Sequence, residues 1–574
     1  MRRVLLASLG FLGSCLAQSS SVDSYIASES PIAKAGLLAN IGPDGSKSSG
    51  AKAGVVIASP STSNPNYLYT WVRDSSLVFK ELIDQFISGE DTSLRELIDD
   101  FVTAEATLQQ VTNPSGSVST GGLGEPKFNI DETAFTDAWG RPQRGMFVLR
   151  LAFMWNAHFG LAIITYANWL LDNGNTTYVS QTLWPIIQLD LDYVKSNWNQ
   201  STFDLWEEVD SSSFFTTAVQ HRALREGSAL ATRIGQTSLV SGYDTQAANL
   251  LCFLQSYWNP TGNYVTANTG GGRSGIDANT VLTSIHTFDP AAGCDAVTFQ
   301  PCSDKALANL KVYVDAFRSI YSVNSGIAAN AAVATGRYPE DSYQGGNAVA
   351  EQLYDALSVW DSQGSLNVTS TSLAFFQTFD SSIQTGIYAS STTTYTSLTA
   401  AIRTFADGFI AVHAKYTPSN GGLAEQFSRS SGTPVSAVDL TWSYAAALTG
   451  FAARSGTKVA SWGAAGLTVP AQCSADAGPT VAVTFNVDAT TVWGENIYIT
   501  GSVGALENWS PDNALLLSSA DYPTWSITVN LPASTNVEYK YIRKNDGTVT
   551  WESDPNNSVD TPASGSITVN DSWR

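Results

Sequence analysis

The chain has 574 residues, of which 43% are hydrophobic, and this length predicts one large domain with a smaller one. Its formal net charge is −21 and its isoelectric point is about 4.5. This balance excludes nucleic acids and anionic membranes as partners, because both are themselves negatively charged. Only 14% of the residues are charged, so uncharged polar residues must cover much of the surface.

The N-terminal segment is typical of a secretory signal. Arg2 and Arg3 precede a short apolar run over residues 4–16, and the small residue Ala17 follows it. The run is too short to span a membrane, and no later segment has about 18 uninterrupted apolar residues. We therefore expect residues 1–17 to be a signal peptide and the remaining chain to be secreted and extracellular, with no membrane partner.

Apolar residues then recur with a helical period as far as about residue 455. One such helix face is formed by Leu398, Ile402, Phe405, Phe409 and Val412. The pattern predicts a mostly α-helical domain over residues 18–455. Polar loops separate the helices, and long loops in a compact helical domain are usually functional. They lie at residues 113–129, 201–215, 266–279 and 336–347.

The loop at residues 201–215 has the most informative composition. It contains the run Asp204-Leu205-Trp206-Glu207-Glu208. Carboxyl groups crowded beside an indole can keep their protons, because burial and like charge both disfavour ionisation. Cleavage of a glycosidic bond needs such a proton donor. From this segment alone, a solvated charge pair on a loop is an equally good interpretation.

The period changes near residue 455. Residues 456–479 are rich in Ala, Gly, Ser and Thr, which indicates a short connector. Beyond it Val481, Val483, Phe485 and Val487 alternate with small or polar residues. This alternation, together with turn signals between the runs, predicts a small all-β sandwich of the immunoglobulin-like class over residues 480–574.

Five cysteines are present, and Cys15 would leave with the signal peptide. The four that remain allow three pairings. Cys294 and Cys302 are close enough for a local bridge, which would leave Cys252 to pair with Cys473. No cysteine or histidine cluster has metal-ligand spacing, so we expect no metal site. Six sequons suit a glycosylated chain: Asn175, Asn199, Asn367, Asn508, Asn556 and Asn570.

Four motifs in this order resemble the signature loops of fungal glucoamylases, glycoside hydrolase family 15. They occupy residues 71–75, 204–208, 336–341 and 424–427. The resemblance implies an (α/α)6 barrel with its active site in a funnel of loops at one end. It also implies an inverting, exo-acting glucan 1,4-alpha-glucosidase that releases β-D-glucose from the non-reducing ends of starch and maltooligosaccharides. The expected partners are starch, maltodextrins and glucose, the expected state is a monomer, and no cofactor is expected.

The resemblance assigns catalytic roles to three carboxylates. Glu207 matches the general acid and Glu425 the general base, and an inverting enzyme holds two such carboxyls roughly 6.5–9.5 Å apart. Asp204 matches an aspartate sometimes given a base role, which we expect to tune Glu207 electrostatically. The matched substrate-binding residues are Tyr67, Trp71, Arg73, Asp74, Trp139, Leu205, Trp206, Glu208, Arg337, Asp341 and Trp442. Without the resemblance, Arg73 and Asp74 could be a structural ion pair and Trp442 could be helix core.

The β module resembles a starch-binding domain, carbohydrate-binding family 20. Exposed aromatic planes can stack on glucose rings while neighbouring polar groups fix their orientation. Trp493 and Tyr522 match part of one sugar site. The other matched site comprises Trp509, Lys540, Trp551, Glu552 and Asn556.

Two segments depart from the family pattern. Residues 145–162 are longer and more apolar than expected, which indicates either a translated intron or a natural variant. Residues 345–350 replace a longer stretch of the family. A second hypothesis is therefore a secreted starch-binding protein with an impaired barrel. A third is a trehalase-like or glucodextranase-like enzyme, which the starch-type β module argues against.

Overall fold

The computed structural model describes residues 2–143, 162–342, 349–457, 460–470, 480–511, 513–532, 535–545, 548–562 and 566–574, with side chains from residue 21 onward except at 480 and 508. The chain divides into two compact units, Met1–Val469 and Pro470–Arg574. The division falls inside the predicted connector, residues 456–479. The boundary of the signal peptide after residue 17 stays a prediction.

The first unit is built from helices. Twelve of them, each of nine residues or more, follow one another in its described residues. They are α1 Arg2–Ala39, α2 Val72–Ser88, α3 Arg95–Gln110, α4 Ala162–Asp172, α5 Trp184–Asn197, α6 Phe214–Arg233, α7 Thr237–Leu254, α8 Ala278–His286, α9 Asp304–Phe317, α10 Val349–Gln363, α11 Thr393–Tyr416 and α12 Thr441–Ser455.

The even-numbered helices form a closed inner ring. Helix α2 packs on α4, α4 on α6, α6 on α8, α8 on α10 and α10 on α12, and α12 returns to α2. The odd-numbered helices lie outside: α3 contacts α2, α5 and α7 contact α6, α9 contacts α8, α11 contacts α10, and α1 contacts α12. Six inner and six outer helices make an (α/α)6 barrel, so the predicted mostly α fold is confirmed.

The sequence explains why these helices form. In α9 the Ser303 side chain accepts a hydrogen bond from the Ala306 backbone N–H at 3.2 Å, which caps the first turn. The apolar face of the same helix is buried, including Leu307, Leu310 and Phe317. Burial of each such side chain contributes about 1.5–3 kcal/mol, which the helix backbone alone cannot supply.

Short antiparallel ladders brace the loops of this unit. They pair β1 Thr70–Trp71 with β2 Lys127–Phe128, β3 Thr202–Phe203 with β4 Asp210–Ser211, β5 Trp258–Asn259 with β6 Tyr264–Val265, β7 Ser365–Val368 with β8 Gly386–Ala389, and β9 Gln426–Phe427 with β10 Pro434–Val435. Three of these ladders, β1–β2, β3–β4 and β9–β10, carry or flank predicted site residues and brace them.

The second unit contains two sheets. Its strands are β11 Thr480–Asp488, β12 Asn496–Gly501, β13 Leu515–Leu516, β14 Ser518–Asp521, β15 Thr524–Pro532, β16 Asn536–Asn545, β17 Thr548–Trp551, β18 Asn557–Asp560 and β19 Ser566–Ser572. One sheet has the order β14-β15-β11-β19, with β11 and β19 parallel; the other has the order β13-β12-β16-β17, with β18 also on β16. Side chains of both sheets share one core, which includes Phe485, Ile499, Trp525 and Tyr539. The predicted all-β module is therefore confirmed.

The cysteines and the two unusual segments can now be placed. Cys294 and Cys302 are bonded, with an S–S distance of 2.12 Å. Cys252 is disulfide-bonded too, and its predicted partner Cys473 lies outside the described residues. Of the apolar segment at 145–162, only Ala162 lies within the described residues. The segment at 345–350 is described only from Val349, where α10 begins.

The first part of the predicted connector is attached to the barrel. One carboxylate oxygen of Asp289 accepts hydrogen bonds from the backbone N–H groups of Trp462, Gly463 and Ala464 at 3.1, 3.0 and 2.8 Å, and from the Ser461 hydroxyl at 2.9 Å. Trp462 is buried. Residues 461–464 thus belong structurally to the barrel.

Candidate active site

A cavity of about 280 Å³ collects most of the predicted site residues. All but three of the fourteen predicted catalytic and substrate-binding residues line it; the exceptions are Asp204, Glu208 and Asp341. The lining set comprises Tyr67, Trp71, Arg73, Asp74, Trp139, Leu205, Trp206, Glu207, Arg337, Glu425 and Trp442. Loops separated by more than 350 residues in sequence therefore converge on one cavity.

The turn between β3 and β4 presents Glu207 to this cavity. The Glu207 backbone N–H donates to the Asp204 carbonyl at 3.0 Å, which closes the turn. Glu207 has a φ of +66°, a left-handed conformation that costs a non-glycine residue about 1–3 kcal/mol. Such strain at a cavity wall points to a functional constraint on this side chain.

Asp204 lies beneath the turn and is 1% exposed. One of its carboxylate oxygens accepts the backbone N–H groups of Glu208 and Val209 at 2.9 and 3.2 Å. The other accepts the Asn268 side-chain amide at 3.2 Å. Burial raises the pKa of Asp204, and the hydrogen bonds to its ionised form oppose that rise. Its position beneath the turn supports the expectation that Asp204 tunes Glu207 electrostatically.

Two segments hold the Glu207 carboxylate. The Trp139 indole N–H donates to Oε2 at 2.7 Å. Nη1 of Arg73 lies 3.5 Å from Oε1 and donates to the Leu205 carbonyl at 2.8 Å. The side chain is therefore fixed before any sugar enters the cavity.

Glu425 is held by two hydroxyl groups. The Tyr67 hydroxyl donates to Oε1 at 3.0 Å, and the Ser436 hydroxyl donates to Oε2. The Glu425 backbone N–H donates to the Ala437 carbonyl at 2.8 Å. Ser436 was not predicted: it lies eleven residues after Glu425 on the returning side of the β9–β10 hairpin, and nothing in its sequence context marks it.

Arg73 and Asp74 form an ion pair, with Nη2 and Oδ2 3.2 Å apart, and both line the cavity. Burial raises the pKa of Asp74 to about 6. The Arg73 charge opposes the rise, while the Glu207 and Glu425 charges add to it. The structural and the ligand-facing interpretations of this pair are therefore compatible. Glu207 and Glu425 therefore both lie close enough to Asp74 to raise its pKa.

A second charged cluster surrounds Glu208. Arg337 donates to Glu208 at 3.0 Å and grips Asp341 with two bonds of 2.7 and 2.8 Å. The Tyr338 hydroxyl donates to Glu208 at 2.6 Å, and Arg273 also pairs with it. Arg273 and Tyr338 were not predicted. The two adjacent glutamates therefore have different surroundings, because Glu207 lines the cavity whereas Glu208 pairs with arginines.

Two of the predicted tryptophans contact ionisable neighbours, of which the sequence identified Arg73 but not Asp277. The Trp206 indole donates at 2.8 Å to Asp277, the N-cap of α8, and burial raises the pKa of Asp277 to about 8. The Arg73 guanidinium lies 5.6 Å from the Trp442 ring. Trp442 lines the cavity, so it is not simply a core residue of its helix.

In the second unit, exposed aromatic rings mark two places. Trp493 is fully exposed and Tyr522 is 51% exposed, and the Tyr522 hydroxyl accepts the Thr491 backbone N–H at 3.3 Å. Trp551 is 40% exposed, and Trp509 is half-buried. Unpartnered apolar planes at a surface are typical of ligand contacts.

The polar residues predicted around Trp551 have different surroundings. Lys540 is buried and donates to the Asp554 carboxylate at 2.8 Å and to the Glu552 carbonyl at 3.2 Å. Glu552 is also buried and accepts the Tyr541 backbone N–H at 3.0 Å. Asn556 is exposed and donates to Glu538 at 3.1 Å. Lys540 and Glu552 therefore organise the loop, while Asn556 faces solvent.

Comparisons with known proteins identify the family of this chain. The family model described as glycosyl hydrolases family 15 matches residues 31–452. The chain belongs to glycosyl hydrolase family 15. A second model, described as a starch binding domain, matches residues 480–571. The family 15 membership makes the chain a glycoside hydrolase, as the sequence motifs predicted.

Three similar proteins match 96% or more of this family 15 member. Glucoamylase-1 of Schizophyllum commune is 64% identical over 583 residues, which cover 100% of this chain and 99% of that protein. The glucoamylase of Neurospora crassa is 49% identical and covers 96% of this chain and 94% of its own. The solved family 15 glucoamylase from Hypocrea jecorina has a TM-score of 0.76 at 48% identity, covering 96% and 100% of the two chains.

No helix in the residues that the structure describes is both long and apolar enough to cross a membrane. The described residues also contain no group of three or more His, Cys, Asp or Glu side chains that could hold a metal ion.

Proposed function

We propose that this family 15 glycosyl hydrolase is an inverting, exo-acting glucan 1,4-alpha-glucosidase that releases β-D-glucose from the non-reducing ends of starch and maltooligosaccharides. The observation that carries the proposal is the shared cavity of Glu207 and Glu425, each on its own hairpin and each held by its own donors. Inversion requires two carboxyls that are roughly 6.5–9.5 Å apart, which leaves room between them for a water molecule.

Glu207 acts as the general acid. Its carboxyl gives its proton to the glycosidic oxygen as the bond to the anomeric carbon breaks. The carboxylate that remains is stabilised by the Trp139 indole N–H at 2.7 Å and by Arg73 at 3.5 Å. Asp204 supports this role by holding the turn on which Glu207 lies.

Glu425 acts as the general base. It takes a proton from a water molecule as that water attacks the anomeric carbon from the opposite face, so the released glucose has the β configuration. The Tyr67 and Ser436 hydroxyls donate to the two carboxylate oxygens and hold the side chain in place. Arg73, Asp74, Arg337 and the aromatic residues around them bind the terminal sugars.

The second unit binds starch through the exposed rings at Trp493 and Tyr522 and through the surface at Trp509, Trp551 and Asn556. We infer that the protein is secreted, glycosylated and monomeric, with residues 1–17 removed. The apolar run after Arg3 and the sequons support secretion and glycosylation.

Two measurements test the proposal. Purified protein incubated with maltotriose should release glucose, and polarimetry or NMR of the fresh product should detect the β anomer. The variant Glu207→Gln keeps the shape of the acid but cannot donate a proton, so turnover should nearly vanish while maltotriose still binds. Retention on raw starch with no glucose release by the unaltered chain would instead leave the impaired starch-binding protein.

A further inference from the structure

Lys127 lies in a cage of four aromatic rings beside the cavity. It is the second half of the cross-strand pair Trp71–Lys127 in the β1–β2 ladder, and it is 2% exposed. Its ammonium nitrogen is 3.7 Å from the centre of the Trp139 ring, and it lies 4.0, 4.1 and 4.5 Å from the centres of Phe135, Tyr69 and Trp71. A cation at these distances from ring faces is attracted by their negative quadrupoles.

The charge of this lysine faces the proposed acid. Burial lowers the pKa of Lys127 to about 8, so the ammonium is charged in acid and at neutral pH. Among the charges that act on it, Glu207 contributes most and Asp137 also favours the charged form, whereas Arg141 opposes it. Lys127 is therefore a buried cation whose main electrostatic partner is the carboxylate at 207.

Trp139 connects the two groups physically. One part of its indole contacts the Lys127 ammonium, and its N–H donates to the Glu207 carboxylate at 2.7 Å. A cation against the ring draws electron density from the indole and strengthens its N–H as a donor. The ring position is also fixed by edge contacts with Trp71 and Phe135, both 5.8 Å between centroids.

We propose that Lys127 is a positioning residue for the general acid: it holds the Trp139 indole on Glu207 and supplies positive charge that stabilises the Glu207 carboxylate left after proton donation. This inference rests on the acid role given to Glu207 above. Arg73 pairs with Glu207 directly, and the Asp74 carboxylate interacts with both Glu207 and Glu425. Lys127 acts through the Trp139 indole.

The test compares Lys127→Met with Lys127→Arg in the full-length protein. The pH dependence of kcat/KM for maltotriose has a basic limb that reports the loss of the acid's proton in the free enzyme. In Lys127→Met this limb should move to higher pH by about one unit, because an opposite charge nearby favours ionisation. The value of kcat at the optimum should fall by about tenfold with KM changed much less. Lys127→Arg keeps the charge and should keep the limb in place.

A matched control is Lys305→Met. Lys305 also lies over aromatic rings, 4.8 Å from Phe299 and 5.8 Å from Trp258, but neither of these rings lines the cavity, whereas Trp71 and Trp139 beside Lys127 do. The limb in this variant should stay where it is. If Lys127→Met folds poorly, Lys127→Gln removes the same charge with a polar side chain, and thermal unfolding shows which variants are intact.

The outcomes are distinct. A limb unmoved in folded Lys127→Met or Lys127→Gln overturns the inference, even if kcat falls, because a structural role alone lowers kcat without moving the limb. An equal displacement in Lys305→Met also overturns it. If instead Glu207→Gln retains normal turnover, the proposed function itself fails. The basic limb measured in the Lys127 variants then reports the titration of another group.

Discussion

Replacing Trp139 by phenylalanine removes one hydrogen bond and keeps an aromatic ring. The lost bond is the 2.7 Å contact from the indole N–H to the Glu207 carboxylate. A hydrogen bond to a charged group contributes about 1.5–3 kcal/mol. The bond is strongest when Glu207 is ionised, which is its state after proton donation, so its loss raises the barrier more than it weakens substrate binding. At about 1.4 kcal/mol for each factor of ten, kcat should fall by about 10- to 150-fold.

The assay follows initial rates of glucose release from maltotriose across the substrate range, which separates kcat from KM. A second substrate, α-glucosyl fluoride, serves as an internal control because fluoride leaves with little help from a proton donor. The loss in Trp139→Phe should be clearly smaller on this substrate. Trp71→Phe makes the same change in a ring whose buried N–H has no hydrogen-bond partner in the described part of the chain, so its kcat loss should be the smaller of the two.

Two results would refute this reasoning. A loss below about threefold on maltotriose would mean that the hydrogen bond does not stabilise the transition state. An equal loss on both substrates would mean that the substitution disturbs the cavity as a whole and does not act through the acid.

Three further predictions concern other parts of the chain. Ser436→Ala removes a donor from the Glu425 carboxylate, so the acidic limb of the kcat/KM profile should move to higher pH by up to about one unit; a stationary limb would contradict the base role. Burial raises the pKa of both Glu351 and its neighbour Asp355. Each group therefore keeps a proton in the folded state that the unfolded state releases above about pH 4–4.5. As the pH rises above that range, the free energy of unfolding should fall by about 1.4 kcal/mol per pH unit for each group. Denaturant titrations between pH 4 and 7 should show a smaller slope for Glu351→Gln, and an unchanged slope would show that Glu351 is ionised in the folded protein. A chain that ends at Pro479 should lose about tenfold or more of its rate on raw granules yet keep its rate on maltotriose; equal loss on both substrates would exclude a tethering role.

Most of the architecture was predictable because the physical signals are local. The helical period, the Ser303 cap and the change to strand alternation after the connector each depend on a few neighbouring residues. The closure of the ring was implied only by the family resemblance, since the contact between α2 and α12 joins segments about 370 residues apart.

The candidate site was predictable where a motif carried it and not elsewhere. Glu207, Arg73 and Arg337 lie in distinctive runs, and all three line the cavity. Lys127 and Ser436 lie in no such run and reach the site only because a strand pair and a hairpin bring them there. Their roles depend on contacts made across the fold, so sequence periodicity has no signal for them.

The connector prediction was incomplete for a similar reason. Residues 456–479 are rich in Ala, Gly, Ser and Thr, yet the backbone N–H groups of Trp462, Gly463 and Ala464 converge on a single oxygen of Asp289. Backbone donors are independent of side-chain identity, so composition does not reveal such an attachment.

The packing of α12 against α2 has a consequence for folding during synthesis. During synthesis, the apolar side of Val72–Ser88 emerges long before its partner Thr441–Ser455 exists. At about 5–20 residues per second, the interval is on the order of 20–70 seconds. Throughout that time the face of α2 that α12 later covers is exposed and can bind other apolar surfaces. The nascent barrel should therefore depend on chaperones until α12 has been made.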